Sequence, residues 1–327
     1  MAGASDSDAA VAGQPGRDRA LRRQQHAENF PVALRLLPRR LRTGLVAVYD
    51  VARVIDDLGD QAIGDRTALL TAFGRDLATI WDGGRTPGQP QQQSPRNLVL
   101  RRLAPVVAAH RLDREPFERL IQANLIDQRV HRYATYAELR GYCILSADPV
   151  GRIVLALFGT GTAGIGAAGG CAPAATELSD RVCTALQLIE HWQDVAEDRR
   201  AGRVYLPLED LAAFGVAEAE LDGAVASPAL RRLMAFQITR AAELLDSGAP
   251  LVGLLHGWAR LAVGGYVAGG RAALDALRRA DGDVLAGPPR PRRRDVLRHL
   301  ASVLFTGHQP GRGRSSSVPN RRREEVG

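Results

Sequence analysis

In LRTGLVAVYDVARVIDD the apolar residues Leu41, Leu45, Val48, Ala52 and Ile55 follow steps of four, three, four and three. That spacing lays one hydrophobic stripe along an α-helix and is incompatible with the two-residue period of a strand. SDRVCTALQLIEHWQDVAED repeats it through Val182, Ala185, Ile189, Trp192 and Ala196, with Ser179 and the Asp180 behind it predicted as the N-cap. Helical patterns also fit 66–81, 96–110, 115–130, 137–158, 228–247, 254–279 and 294–305. No run of strict apolar–polar alternation and no internal repeat interrupts them. Aromatics are only 5% of the chain, and Ala and Leu favour helices over strands. The expectation is an all-α, single-domain protein of about ten helices, long enough at 327 residues to bury a full core.

The domain is expected over 21–306, flanked by disordered segments at 1–20 and 307–327 that are polar, Gly/Pro/Ser-rich and aperiodic. DGGRTPGQPQQQSP, from Asp82 to Pro95, is predicted as an internal loop. The N-terminus is acidic where a signal peptide needs an apolar core, and no apolar run of about 18 residues predicts a spanning helix. Cys143, Cys171 and Cys183 are too few and scattered for a disulfide framework or zinc site, so a reduced, cytoplasmic setting is expected. All 43 basic residues are arginine, and net charge is +7. Every cation is therefore planar, permanently charged and suited to phosphate. The basic run from Pro288 to Arg323 reads first as a solvated terminus and second as a surface for peripheral membrane contact. No nucleic-acid partner is expected, because no stacking aromatics are interleaved with it.

Two rows of carboxylates lie along the two amphipathic helices. Tyr49, Arg53, Asp56 and Asp60 occupy one narrow arc beside the apolar stripe, with Asp57 next to them. Glu190, Asp194 and Asp198 follow at i, i+4 and i+8, with Gln187 on the same side. Such carboxylates repel one another by a few tenths of a kcal/mol per pair, which a helix gains from only if a cation sits there. Each row alone also fits a solvated face, the first bridged by Arg53 and the second balanced by Arg199, Arg200 and Arg203. Two rows on two separate helices describe a cage able to hold a diphosphate through bridging Mg²⁺.

Other signals point elsewhere. GTGTAG, Gly159–Gly164, matches GxGxxG, but it continues a helical pattern from Tyr142 and is followed by glycine-rich chain, so it is read as an inter-helix loop. The histidines lack metal-ligand spacing, and His191, the one near the acidic rows, is expected to point away from Asp194. There is no nucleophile elbow and no Walker-type lysine.

ENFPVALRLLP (Glu28–Pro38), YDVARVIDDLGD (Tyr49–Asp60), DQRVHRYATYAELRGYC (Asp127–Cys143) and QLIEHWQDVAEDRRAGRVYLP (Gln187–Pro207) resemble the squalene and phytoene synthase family, and within it the hopanoid-pathway hydroxysqualene synthase branch. The resemblance runs from about residue 20 to 305. It implies the isoprenoid (terpenoid) synthase fold with a central cavity. It also implies Mg²⁺ and diphosphate binding by Asp56, Asp60, Asp194 and Asp198, and diphosphate contacts from Arg53, Arg203 and Gln187. Tyr49, Tyr142 and Tyr205 then line the cavity or its mouth, and Val150, Leu155 and Phe158 shelter a carbocation. Glu190 stands where relatives carry asparagine, and its extra charge would alter metal affinity and pyrophosphate release. The implied reaction is presqualene diphosphate plus water to hydroxysqualene plus pyrophosphate, needing no NADPH, with Tyr142 stabilising the cation or positioning the water. The alternatives are condensation of two farnesyl diphosphates to presqualene diphosphate or squalene, a phytoene-type condensation, or a non-catalytic scaffold.

Overall fold

The protein is described here as a computed structural model covering residues 37–82, 95–159 and 173–306. Among these residues all regular structure is helical, with thirteen α-helices and one short 3₁₀ turn. In chain order they are α1 (Arg39–Asp60), α2 (Arg66–Asp82), α3 (Leu98–His110), α4 (Glu115–Asp127), α5 (Tyr136–Ser146), α6 (Asp148–Phe158) and α7 (Pro173–Gln193). After these come α8 (Val195–Arg200), α9 (Leu208–Phe214), the 3₁₀ turn Glu218–Asp222, α10 (Pro228–Gly248), α11 (Leu251–Leu254), α12 (Gly257–Arg279) and α13 (Arg293–Thr306). The expected disordered ends, most of the 82–95 loop, most of ENFPVALRLLP, Cys171, and GTGTAG beyond Gly159 lie outside the described residues.

Both predicted stripes face the core. Leu45, Val48 and Ile55 of α1 and Val182, Ala185, Ile189 and Trp192 of α7 are buried. α1 packs against α2, α3, α4 and α6, and α7 packs against α5, α6, α10 and α12. α6 touches both groups and is the wall they share. It can approach α7 closely because Gly151 has no side chain. A Cβ there would come within 2.5 Å of both Ser179 Oγ and Cys183 Sγ. Local caps not foreseen in the sequence start several helices: Asn97 accepts from Val99 N–H, Thr135 from Glu138 N–H and Ser227 from Leu230 N–H.

The structure corrects four boundaries. The pattern over 137–158 divides at Ala147 into α5 and α6, because Pro149 in the next turn has no N–H and its ring excludes the carbonyl four residues back. The pattern over 254–279 divides at Leu255 and His256, which are extended, and Gly257 supplies a positive φ of 53° before α12. Ser179 is not an N-cap: α7 begins at Pro173, so Ser179 is an interior residue buried against α6. The second acidic row spans a break, since Asp194 separates α7 from α8. Helical hydrogen bonds nevertheless run through it, from Asp194 N–H to Glu190 O at 3.0 Å and from Asp198 N–H to Asp194 O at 2.8 Å. Tyr136–Phe158 is long and apolar enough, by composition, to cross a membrane, but 61% of its apolar window is buried inside the protein. That burial is what a pair of core helices requires.

Candidate functional site

The first acidic row ends where α1 meets α4. Gly59 lets the two backbones come together, since a Cβ there would overlap the Asn124 amide. Asn124 Nδ2 donates to Asp56 Oδ1 at 3.3 Å, and Gln128 Nε2 donates to Gly59 O at 3.0 Å. Asp56 keeps contact with solvent while protein surrounds it on most sides, as expected for a carboxylate on a concave wall. Burial pushes it up to about 6, with Asp60 and Asp57 adding to the rise while Asn124 and Arg53 oppose it. Arg53 lies 3.7 Å from Asp57 Oδ1 rather than bridging Asp56 and Asp60. Tyr49 is half-buried one helical turn before it.

The second row faces the first through one arginine. Arg203 Nη1 donates to Asp60 Oδ1 at 2.8 Å, while its own N–H donates to Asp198 O at 2.8 Å. Burial opposes the Arg203 charge, but the Asp60 bond and neighbouring oxygens outweigh it and hold the guanidinium protonated. Asp194 is pushed up to about 6, first by burial and next by the Glu190 charge, with Glu197 and Asp198 contributing less. Glu190 is exposed and Gln187 half-buried on α7.

Backbone pairing between two non-helical segments builds the floor. Val204 N–H donates to His131 O at 2.8 Å, Leu208 N–H to Tyr133 O at 3.0 Å and Glu209 N–H to Ala134 O at 3.0 Å. Arg132 grips Glu218 through Nε and Nη2, and Glu218 is shared with Arg199, which also pairs with Asp222. This lattice puts Tyr133 and Tyr205 side by side, with centroids 5.9 Å apart and rings at 21°. Tyr142 of α5 completes the group at 5.6 Å from Tyr133 and 5.8 Å from Tyr205. Tyr142 OH donates to Asp127 Oδ2 at 2.6 Å, and Tyr205 OH to Asp127 Oδ1 at 3.4 Å. Burial, together with the nearby Asp127 carboxylate, drives both phenols well above their ordinary range.

His191 is the correction within the site. Its ring stacks on Tyr205 at 3.8 Å and 15°, its Nε2 lies 3.3 Å from Gln187 Nε2, and its Nδ1 lies 3.9 Å from Asp198 Oδ2. At about 100° per residue, His191, three residues before Asp194 and seven before Asp198, lies within about 60° of the first and about 20° of the second, so the helical hydrogen bonds that run through Asp194 keep it on the acidic side rather than pointing away. Asn124, Asp127, Gln128 and Tyr133 were also not singled out from sequence. Asn124, Asp127 and Gln128 share one side of α4, a spacing of three and four that polar residues on a solvated helix show equally well. Among the hydrophobic candidates, Leu155 and Phe158 are buried whereas Val150 is exposed. A surface cleft of about 280 Å³ on α10, α12 and α13 is lined by Asp246, Arg271, Asp275, Arg278 and His299, away from the acidic rows. Its charges are mutually paired, Arg271 with Asp246 at 2.7 Å and His299 with Asp275 at 2.8 Å.

The Squalene/phytoene synthase family matches residues 23–298. The chain is 33% identical over 225 residues to a hydroxysqualene synthase of Rhodopseudomonas palustris, covering 68% of this chain and 70% of that protein. It is 31% identical over 265 residues to a phytoene synthase of Arthrospira platensis, covering 80% and 82%. Among solved structures, the squalene synthase HpnC of Alicyclobacillus acidocaldarius superposes with a TM-score of 0.69 at 37% identity, over 81% of this chain and 94% of that one. A dehydrosqualene synthase in complex with a ligand superposes with a TM-score of 0.72 at 23% identity, over 88% and 95%, a likeness of fold.

Proposed function

The chain belongs to the squalene/phytoene synthase family, and from that premise we propose that it ionises a prenyl diphosphate between its two acidic helices. The substrate in this reading is presqualene diphosphate, and the products are hydroxysqualene and pyrophosphate. The observation that carries the proposal is the Arg203–Asp60 bridge of 2.8 Å, which ties the segment after the second acidic row to the end of the first. A cation that joins both rows stands where a leaving diphosphate needs positive charge.

The chemistry of the donor set suits Mg²⁺, while among the described residues no three His, Cys, Asp or Glu side chains converge on one point in the absence of the ion. Asp56, Asp60, Asp194 and Asp198 offer only oxygen, the ligand this hard cation takes. Asp56 and Asp194 are both raised toward neutrality by burial and by neighbouring carboxylates, so their charges are under-compensated by the protein itself. Glu190 adds a fifth oxygen donor and is the largest neighbouring charge acting on Asp194. Bound there, Mg²⁺ would supply charge neutralisation of the diphosphate. Arg203 and Arg53 would bind the phosphate oxygens, Arg203 exchanging its Asp60 contact for the ligand, and Gln187 would orient the headgroup. The Tyr133–Tyr142–Tyr205 group presents aromatic faces to the developing carbocation. Buried Leu155 and Phe158 limit water around it. Water capture consumes no electrons, so NADPH is not required. Apolar isoprenoid chains favour a cytoplasmic enzyme in peripheral contact with a membrane.

A second reading, condensation of two prenyl diphosphates, is favoured by the phytoene synthase relatives at similar identity. Purified protein given presqualene diphosphate, with and without Mg²⁺ and without NADPH, tests the first: Mg²⁺-dependent pyrophosphate and an alcohol of hydroxysqualene mass are expected. A condensation product from farnesyl or geranylgeranyl diphosphate alone selects the second. No pyrophosphate from any of these substrates refutes both and favours a scaffold.

A further inference from the structure

We infer that Asp127 and Tyr142 form a proton-accepting pair that lets the site end its reaction by capturing one water. This deepens the hydroxysqualene reading and rests on it.

The geometry is specific. Asp127 ends α4 with both carboxylate oxygens turned to phenols, Oδ2 toward Tyr142 at 2.6 Å and Oδ1 toward Tyr205 at 3.4 Å. A phenol has one proton to donate and lone pairs to accept with. Tyr142 commits its proton to Asp127, so its oxygen meets other groups only as an acceptor. A water beside it must donate to it, which turns the water's own lone pair away from Tyr142. The orientation needed to attack a carbocation is thereby set before the cation forms.

The surroundings place the pair beside the leaving group. Arg203, His191 and Asp60 are near enough for their charges to act on Asp127, and the His191 and Tyr205 rings pack against Tyr142. Arg203, which carries the Asp60 bridge, thus acts on both the diphosphate side and the capture side. Tyr133, Tyr142, Tyr205 and His191 pack ring to ring, with centroids 3.8 to 6.2 Å apart where they adjoin. That packing limits the number of waters that reach the pair. Burial pushes Asp127 up to about 6, against the opposing Tyr142 bond and Arg203 charge, so it can take a proton near neutral pH.

The step balances without a redox partner. A carbon–oxygen bond forms between the cation and water, and one water O–H bond breaks toward the Tyr142 oxygen. The Tyr142 proton passes along its 2.6 Å bond to Asp127, which becomes a neutral acid and later returns the proton to solvent. Without a proton acceptor at this place, the released pyrophosphate takes a proton from a carbon next to the cation instead, which leaves a hydrocarbon. Asp127 therefore acts through Tyr142 as a positioning residue that selects alcohol over alkene.

The test is product partition from presqualene diphosphate, read by mass spectrometry after long incubation, for wild type, Asp127→Asn and Tyr142→Phe. Asparagine keeps an acceptor for Tyr142 and removes the proton sink. Both variants are expected to lower the alcohol-to-hydrocarbon ratio at least tenfold, and Asp127→Glu to restore part of it. A ratio unchanged in Asp127→Asn overturns the pair. So does loss of all products in both variants, which would make the pair part of ionisation rather than capture. Wild-type protein that releases pyrophosphate but no alcohol overturns the hydroxysqualene reading itself, and the relay with it.

Discussion

Gly59→Ala separates the stability of the α1–α4 contact from its chemistry. The added methyl would overlap Asn124 Oδ1 and approach its Cγ to 3.2 Å, so the amide has to retreat by about 1 Å to reach ordinary contact. The atom in the way is the end of a side chain, not backbone, so the helices need not part. The Asn124–Asp56 bond, already 3.3 Å long, does not survive that retreat. Losing a hydrogen bond to a charged acceptor costs about 1.5 kcal/mol at a site that solvent still reaches. Replacing a helical glycine by alanine returns about 0.5–1 kcal/mol. The net loss is about 0.5–1 kcal/mol, a fall in melting temperature of about 1–4 °C.

Activity should fall further than stability. Asn124 is the main group holding Asp56 down against burial, so its retreat leaves Asp56 more readily protonated and a poorer ligand. A loss of about 1.4 kcal/mol in transition-state stabilisation is tenfold in rate. The assays are thermal unfolding and Mg²⁺-dependent pyrophosphate release, for Gly59→Ala, Asn124→Ala and the double variant. The single variants should show similar rate losses, and the double variant little more than either, because both act on one bond. Wild-type turnover in Gly59→Ala refutes the link between Asn124 and Asp56. A melting temperature lowered by more than about 10 °C refutes the claim that only a side chain must move.

Gly248→Ala should behave oppositely: its Cβ would lie 2.8 Å from Leu178 O and 2.9 Å from Val182 N, so α7 and α10 must separate, at a cost of about 1–3 kcal/mol or more seen as a large drop in melting temperature. Asp56→Ala and Asp194→Ala should each abolish pyrophosphate release with helical content intact by circular dichroism; an active double variant would remove the metal–diphosphate proposal. Glu190→Asn should lower the pKa of Asp194 by removing the largest neighbouring charge on it, and shift the Mg²⁺ concentration for half-maximal activity; an unchanged Mg²⁺ dependence would show that Glu190 does not act on the site. Asp148, only 2% exposed and accepting from Thr184 at 2.8 Å, is raised by burial from 3.8 to about 6. The folded protein holds that proton more tightly than the unfolded chain, so this group's contribution is full below about pH 4 and is lost as pH rises through about 6, up to about 3 kcal/mol. Asp148→Asn should flatten the melting-temperature profile between those values, and an unaltered slope would contradict it.

What was legible in the sequence follows from how far apart the interacting residues lie. The rows Asp56–Asp60 and Glu190–Asp194–Asp198 could be read because their members are related by one helical period, a local property that survives whatever the helix packs against. The stripe residues Ile55 and Trp192 could be read for the same reason, and both are fully buried. His191 was misplaced even though the same period locates it, since it stands three residues before Asp194 and seven before Asp198 and so shares a helix side with both. Asp127 was invisible for a different reason. Its partners Tyr142 and Tyr205 lie 15 and 78 residues away, and Tyr205 is delivered by backbone pairing between two short irregular segments that carry no apolar period. A carboxylate at the end of a helix looks solvated until the chain that covers it is known. In the proposed reading the carboxylates that would hold charge lie along periodic helices, whereas Asp127 ends a helix and Tyr133 and Tyr205 lie in the segments between helices. Sequence pattern therefore reports the leaving-group half of the site more completely than the half that would decide the product.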